Sequence, residues 1–280
     1  MKYQLSKNAG FCFGVKRTLA MVEDNFNKMK MPVLMYGHLV HNEEVVKKLI
    51  EKGIKVVEDL TDVKNGTLII TAHGISPKIK ERLENKKELD IIDTTCPRVL
   101  RVQNLAKELY EEGNQVLIFG DSDHREVKGI FGATSNNAII FSSKEELGKI
   151  KFNKNKKYGL VVQTTKDLQK FREVERKLKR KIPKLKVFNT ICGTSKERQV
   201  EARKLAKTSD LMIVVGSKTS SNTTRLYEIS SKINLKTYFI GTEKELKKSW
   251  FKNANNVGIT AGASTPDWVI EGVVKKISSY

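Results

Sequence analysis

Three cysteines, Cys12, Cys96 and Cys192, are the only thiols in the chain, and each stands at the same kind of junction. The stretches "NAGFCFGVKRTL", "DTTCPRVLRV" and "NTICGTSKER" place the sulfur after a short β-prone run and before helical periodicity. An odd number of thiols cannot close into a complete set of internal disulfides, so burial, metal ligation and catalysis compete. A single non-disulfide cysteine is most often a small buried apolar residue. Three at equivalent positions, with none elsewhere, point to a shared ligand set instead. Three thiolates match three corners of an iron–sulfur cubane and leave the fourth iron without a protein ligand, where a substrate can bind. Zinc competes, as a Cys3His site or as three thiolates plus water, and without a CxxC pair the spacing leaves both metals open.

The histidines form a second group. His41, His73 and His124 are three of only four in the chain, and each lies in a polar loop that follows an apolar run; His38 begins the loop that contains His41. Imidazole in such a loop can ligate, donate to an anion or move protons. Other loops of this kind supply hydroxyls and amides: Thr164 and Thr165, then Ser220, Ser221 and Asn222, then Ser264. As helix caps these residues would surround themselves with free N–H groups and positive dipole ends, and several such termini facing one cavity would hold a phosphate or diphosphate. Ser76-Pro77 and Thr265-Pro266 read as caps followed by proline at the first helical position. Glu126, two residues after His124, admits two readings: a capping-box acid paired with Asp123, or a proton donor whose pKa is raised by burial.

These residues require a repeated scaffold. After each cysteine comes a helix, with Val15, Leu19, Val22 and Phe26 at helical spacing, then Val102, Leu105 and Leu109, while Thr194 and Glu197 make a capping-box pattern before the third. Next comes a strand, a polar loop and a helix in "PVLMYGHLVHNEEVVKKL", "QVLIFGDSDHREVKGI" and "LMIVVGSKTSSNTTRLYEI". From Cys12 to His41 is 29 residues, from Cys96 to His124 is 28, and from Cys192 to Ser220 is 28. A short strand ("KVVE", "AIIF", "TYFI") leads to a second strand, loop and helix in "GTLIITAHGISPKIKERL", "YGLVVQTTKDLQKF" and "VGITAGASTPDWVIEGV". Strand–helix alternation predicts an α/β fold of three similar domains with mostly parallel sheets, divided at residues 1–96, 97–192 and 193–280, the N-terminal strand being available to the third sheet. Ligands bind beyond the carboxyl ends of parallel strands, where all six polar loops and all three cysteines fall. Three domains packed about a pseudo-threefold axis with those ends inward would bring the cysteines together.

Composition narrows the function classes. Of 280 residues, 39% are hydrophobic and 30% charged, an ordinary soluble balance that argues against disorder. "MKYQLSKNAGFCFG" lacks the apolar core of a signal peptide, and no run reaches membrane-spanning length, so a cytoplasmic protein without membrane association is expected. The net charge of +20 suits an anionic partner, but its lysines are spread over most helix faces, densest in "KFREVERKLKRKIPKLK", without an aromatic-rich or zinc-finger signature. Nucleic acid is therefore not the expected partner, and a solvated face, or one that docks an acidic protein, is.

"AGFCFGVKRTL", "HLVHNEEVV", "TAHGIS", "DTTCPRV", "GDSDHREVKG", "QTTKD", "VVGSKTSSNTTRL" and "TAGASTPD", in this order and over nearly the whole chain, closely resemble the 4-hydroxy-3-methylbut-2-enyl diphosphate reductase (LytB/IspH) family. The resemblance implies a trefoil of three α/β domains around one 4Fe-4S cluster held by Cys12, Cys96 and Cys192, with the allylic hydroxyl of the substrate on the fourth iron. It implies that His41, His73, His124, Ser220, Ser221, Asn222 and Ser264 hold the diphosphate and that Thr164 and Thr165 lie near the substrate. The expected reaction removes the C4 hydroxyl with two electrons and two protons, giving isopentenyl and dimethylallyl diphosphates, the last step of the methylerythritol phosphate route to isoprenoids. Glu126 would supply the proton through His124, Thr164 or the substrate's own phosphate, and a ferredoxin or flavodoxin would supply electrons to a monomer. The phenylalanine of "FCFG" before the glycine is larger than the residue often found there, and no additional RNA-binding activity is expected.

Overall fold

The computed structural model describes residues 1–61 and 63–280 and contains three four-stranded sheets, every strand pair parallel. The described residues form two compact units: Met1–Lys16, Val40–Lys52 and Gly193–Tyr280 make the first, Arg17–Leu39 and Gly53–Cys192 the second. The strands are β1 (Lys2–Leu5), β2 (Val33–Tyr36), β3 (Lys55–Val57), β4 (Gly66–Ile70), β5 (Leu89–Asp93), β6 (Gln115–Phe119), β7 (Ala138–Phe141), β8 (Tyr158–Val162), β9 (Lys186–Val187), β10 (Leu211–Val215), β11 (Thr237–Ile240) and β12 (Asn256–Ala261). The helices are α1 (Phe13–Asn25), α2 (Glu43–Glu51), α3 (Pro77–Glu84), α4 (Pro97–Glu111), α5 (Arg125–Ala133), α6 (Lys144–Lys149), α7 (Leu168–Lys181), α8 (Gly193–Thr208), α9 (Ser221–Ser231) and α10 (Asp267–Ser278).

One sheet runs β1-β12-β10-β11 and lies in the first unit; the sheets β3-β2-β4-β5 and β7-β6-β8-β9 lie in the second. Read from the strand that precedes each cysteine, the three orders coincide: β1-β12-β10-β11, β5-β4-β2-β3 and β9-β8-β6-β7. The N-terminal strand completes the sheet whose other strands come from the end of the chain, with Leu5 opposite Ile259. Cysteine therefore follows an outer strand each time, and its neighbour is the strand that carries the second polar loop.

The central strands explain this architecture. "GTLII", "YGLVV" and "LMIVV" are buried at every residue, which only a sheet covered by helices on both faces permits. Fully burying one such Leu, Ile or Val is worth about 1.5–3 kcal/mol, so these strands fix the sheets. One face of the β6–β8 sheet packs Leu117, Phe119, Leu160 and Val162 against Phe171, Val174 and Leu178 of α7. The other packs Val116, Ile118 and Val161 against Val102, Ala106 and Leu109 of α4 and Val127 and Ile130 of α5. In the first unit Leu211, Ile213, Val215, Val257 and Ile259 pack on Val269, Ile270, Val273 and Ile277 of α10.

Two predicted caps are placed differently. α8 begins at Gly193, directly after Cys192, so Thr194 lies inside its first turn and the Thr194–Glu197 box does not form. Pro266 occupies the cap position of α10, and Thr265 instead donates its hydroxyl to the Val215 carbonyl at 3.1 Å. Ser76 does cap α3, accepting from Ile79 N–H at 3.3 Å with Pro77 at the first helical position.

Candidate functional site

Cys12, Cys96 and Cys192 are all half-buried. Each backbone N–H donates to a carbonyl two residues past the end of the adjacent strand: Cys12 to Ala263 after β12 at 3.0 Å, Cys96 to Ala72 after β4 at 3.1 Å, and Cys192 to Thr164 after β8 at 2.9 Å. The bond uses only main chain, so it repeats although the side chains around it do not. α1, α4 and α8 start at the next residue in each case. Each sulfur therefore stands at the N-terminal end of a helix. In number and chemistry, three thiols anchored alike are one short of the four cysteines that complete the ligation of an iron–sulfur cluster.

Glu126 is 2% exposed on the first turn of α5. Thr164 grips it twice: the Thr164 N–H donates to one carboxyl oxygen at 2.7 Å, and the hydroxyl meets the other at 2.7 Å. Burial pushes the carboxyl up from 4.5 to about 7, against the lowering effect of the two Thr164 bonds and with a small upward push from Asp121. The capping-box reading with Asp123 is thereby corrected. His124 is the cap, its Nδ1 accepting the Glu126 N–H at 3.2 Å, while Asp123 is exposed and Glu126 turns inward to the loop after β8. That bond places the lone pair of His124 on Nδ1 and leaves Nε2 to donate in the neutral ring. The His73 ring meets His124 edge to face, with centroids 5.5 Å apart. Gly132 makes the approach of α5 to α3 possible, because a Cβ there would lie 2.2 Å from the Ser76 Cβ.

In the first unit, the loops after β10 and β12 bring the predicted hydroxyls and amide together. Ser220 caps α9 through Thr223 N–H at 3.4 Å, and Ser221 is its half-buried first residue. Ser264 donates to the His41 carbonyl at 2.9 Å and lies 3.5 Å from the Ser220 hydroxyl. Asn222 is 5% exposed; its carbonyl oxygen accepts from Ala263 N–H at 2.9 Å, and its buried Nδ2 meets no acceptor among the described residues. A buried amide donor left without an acceptor costs about 1–3 kcal/mol, which an anionic ligand at this helix N-terminus would offset. Gly262 lets the loop reach this geometry, since a Cβ there would fall 1.9 Å from the Thr223 hydroxyl.

Sequence reasoning missed Lys166 and Asp121. Lys166, 3% exposed, forms an ion pair with Asp121, the two residues projecting from the loops after β8 and β6. Gln163 ties the same loops: its side-chain oxygen accepts from Asp121 N–H at 2.9 Å and its Nε2 donates to Thr165 at 3.1 Å. A lysine directly after the threonine pair, in a segment otherwise buried, was the available signal.

The chain matches the family model described as LytB protein over residues 4–278. It is 40% identical over 275 residues to the 4-hydroxy-3-methylbut-2-enyl diphosphate reductase of Clostridioides difficile (strain 630), covering 98% of both chains. It is 41% identical over 281 residues to the protein of the same name from Helicobacter pylori (strain Shi470), covering all of both. Among solved structures, the E-1-hydroxy-2-methyl-but-2-enyl-4-diphosphate reductase of Plasmodium falciparum superposes with a TM-score of 0.93 at 34% identity, over 98% of this chain and 87% of that one. A second, (E)-4-hydroxy-3-methyl-but-2-enyl diphosphate reductase, the terminal enzyme of the non-mevalonate pathway, gives a TM-score of 0.71 at 38% identity with full coverage of both chains.

Proposed function

The chain belongs to the LytB protein family, and from that premise we propose that it reductively dehydroxylates 4-hydroxy-3-methylbut-2-enyl diphosphate to isopentenyl and dimethylallyl diphosphates. Removing the allylic hydroxyl as water takes two electrons and two protons. The observation that carries the reading is Thr164, whose carbonyl holds the Cys192 amide while its N–H and hydroxyl hold a buried, protonatable Glu126. One residue thus joins a metal-ligand backbone to an acid.

Cys12, Cys96 and Cys192 would hold one 4Fe-4S cluster per chain. Such a cluster supplies the electrons and a Lewis-acidic open iron. The rest falls to the protein. Ser220, Ser221, Asn222 and Ser264 at the N-terminus of α9, with His41, His73 and His124, bind the diphosphate; Thr164 and Thr165 line the hydrocarbon end. His124 Nε2–H, left to donate by the bond at Nδ1, serves an anion.

The proton has a defined position. The Thr164 N–H can only donate, so the carboxyl oxygen it meets is an acceptor, and the acid proton must reside on the other oxygen. That oxygen is 2.7 Å from the Thr164 hydroxyl. In the protonated state the hydroxyl accepts from Glu126 and its own hydrogen points onward, so Glu126 and Thr164 together deliver a proton to the departing hydroxyl.

The positive chain suits an acidic small electron carrier of the ferredoxin or flavodoxin kind. Among the described residues no helix is long and apolar enough to cross a membrane, and we place the enzyme in the cytoplasm as a monomer. Anaerobic iron and sulfide analysis, followed by turnover of the diphosphate alcohol with a chemical reductant, tests the proposal. About four irons per chain and formation of both isomeric diphosphates are expected. Stoichiometric zinc without iron, or absence of either product from iron-replete protein, refutes it.

A further inference from the structure

Lys166 raises a question that the proposed reaction leaves unanswered: why a lysine 3% exposed sits two residues after the threonine that holds a buried acid. Its ammonium pairs with Asp121, whose side chain is 45% exposed, and lies 5.2 Å from the centroid of the Phe119 ring. A buried ammonium without a partner is strongly disfavoured, so the pair is held together wherever the loops go. Both loops are also tied by Gln163, whose N–H donates to the Phe119 carbonyl at 3.0 Å and whose side chain accepts from Asp121 N–H. The β6 loop leads into α5 and Glu126; the β8 loop carries Thr164. The ion pair therefore spans the two segments that meet at the Glu126–Thr164 bond.

We propose that Lys166 and Asp121 are positioning residues whose ion pair, joining the two loops that meet at the Glu126–Thr164 bond, tunes the proton held there. Asp121 opposes ionisation of Glu126, and Lys166 limits that opposition by neutralising Asp121. This rests on the reading of Glu126 as the acid of the site. The other charged or titratable groups near it are accounted for. On α5, Arg125 turns to Glu58 and to the Tyr36 ring, 4.3 Å away, and Lys128 is exposed. On the β6 loop, Asp123 is exposed; after Lys166, Asp167 caps α7 by accepting from Lys170 N–H at 2.8 Å. His124 caps α5, and His73 reaches it from the β4 loop. Asp121 is the charged group whose field acts to raise Glu126, in accord with the proposed role.

The two members of the pair must then act with opposite sign. Lys166→Met replaces a buried charge with an apolar side chain of similar length and leaves Asp121 as a partly solvated, unneutralised anion, so Glu126 holds its proton to higher pH. Asp121→Asn removes the anion and leaves the ammonium, so Glu126 ionises at lower pH. A merely structural clamp would move both variants the same way or neither.

The test is infrared titration of the holoenzyme, following the protonated carboxyl band that disappears in Glu126→Gln, alongside the pH profile of turnover. The expected result is a midpoint that moves up in Lys166→Met and down in Asp121→Asn, each by more than about 0.3 pH unit. Lys166→Arg keeps the wild-type midpoint, and the double variant falls between the singles. Midpoints that stay within about 0.3 pH unit of wild type in both single variants, or that shift in the same direction, overturn the proposal. Opposite shifts in the band while Glu126→Gln retains full turnover would support the pair's control of Glu126 and remove only the catalytic reading.

Discussion

Glu126→Gln separates what burial does to this carboxyl from what the carboxyl does to the substrate. At a pKa of about 7, about half of the molecules carry the proton at neutral pH, where a carboxyl at the ordinary 4.5 would be about 0.3% protonated. Burial thus enriches the acid form more than a hundredfold at the working pH, and above pH 7 that form declines toward tenfold per pH unit. Glutamine keeps the carbonyl oxygen that accepts from Thr164 N–H, and its amide can donate to the Thr164 hydroxyl, so the local packing is retained. What it lacks is a transferable proton. We expect turnover to fall by about 10²- to 10⁴-fold, the usual contribution of a positioned acid, with the descending limb above about pH 7 lost. The assay is anaerobic turnover from about pH 6 to 9 with a low-potential dye as reductant, iron content being matched between the two proteins. A wild-type rate that stays level to the alkaline end, or a glutamine variant within about twofold of wild type, would refute the assignment.

The same carboxyl makes a stability prediction of definite sign. Its folded-state pKa is raised, so its contribution is fully present below about pH 4.5 and is lost as pH climbs toward about 7; at 1.36 kcal/mol per pH unit the loss reaches about 3 kcal/mol. The stability of wild type minus Glu126→Gln, from paired denaturant unfolding, should decline by that amount across this window, and a constant difference would contradict it. Thr164→Val removes the hydroxyl but keeps the N–H bond, so turnover should drop by at least tenfold with Glu126 still buried, and Thr164→Ser should restore it; steady-state kinetics of the two variants decide. Asn222→Asp preserves the acceptor for Ala263 N–H and replaces the buried Nδ2 donor with negative charge, so KM should rise about 10- to 100-fold with kcat much less affected. Cys192→Ser should lower bound iron well below about four per chain after anaerobic purification, measured by iron and sulfide content.

Strands and helices were legible because the sheets are buried on both faces. "GTLII", "YGLVV" and "LMIVV" have no reason to lack charged residues at every position unless helices cover them on each side, and the near-constant cysteine-to-loop interval follows from a fixed strand–helix–strand unit. The coincident strand orders arise from the same pattern, including the N-terminal strand's place beside β12. Cap identities were less legible. Thr265 and Thr194 have the right chemistry for an N-cap, yet one side chain is taken by the Val215 carbonyl and the other lies a residue inside its helix. The choice was made by packing several residues away, which no local pattern contains.

The site itself divides along the same line. The equivalence of the cysteines was readable from spacing, but its cause is a main-chain bond to the residue two past a neighbouring strand, made by alanine twice and threonine once. Backbone contacts leave no side-chain signature, so symmetry persists in the fold after it has faded from the sequence. Glu126 shows the converse. As a cap acid or as a buried acid it occupies the same position in "DHREV", and only the Thr164 bonds, 38 residues away in sequence, distinguish the two. Lys166 was hidden for a further reason: in a chain with 52 lysines and arginines, one more lysine reads as surface. Burying it forces a choice of partner, and the partner chosen, Asp121, acts on Glu126. A cation that is inconspicuous by composition is therefore tied, through one carboxylate, to the residue proposed to deliver the proton.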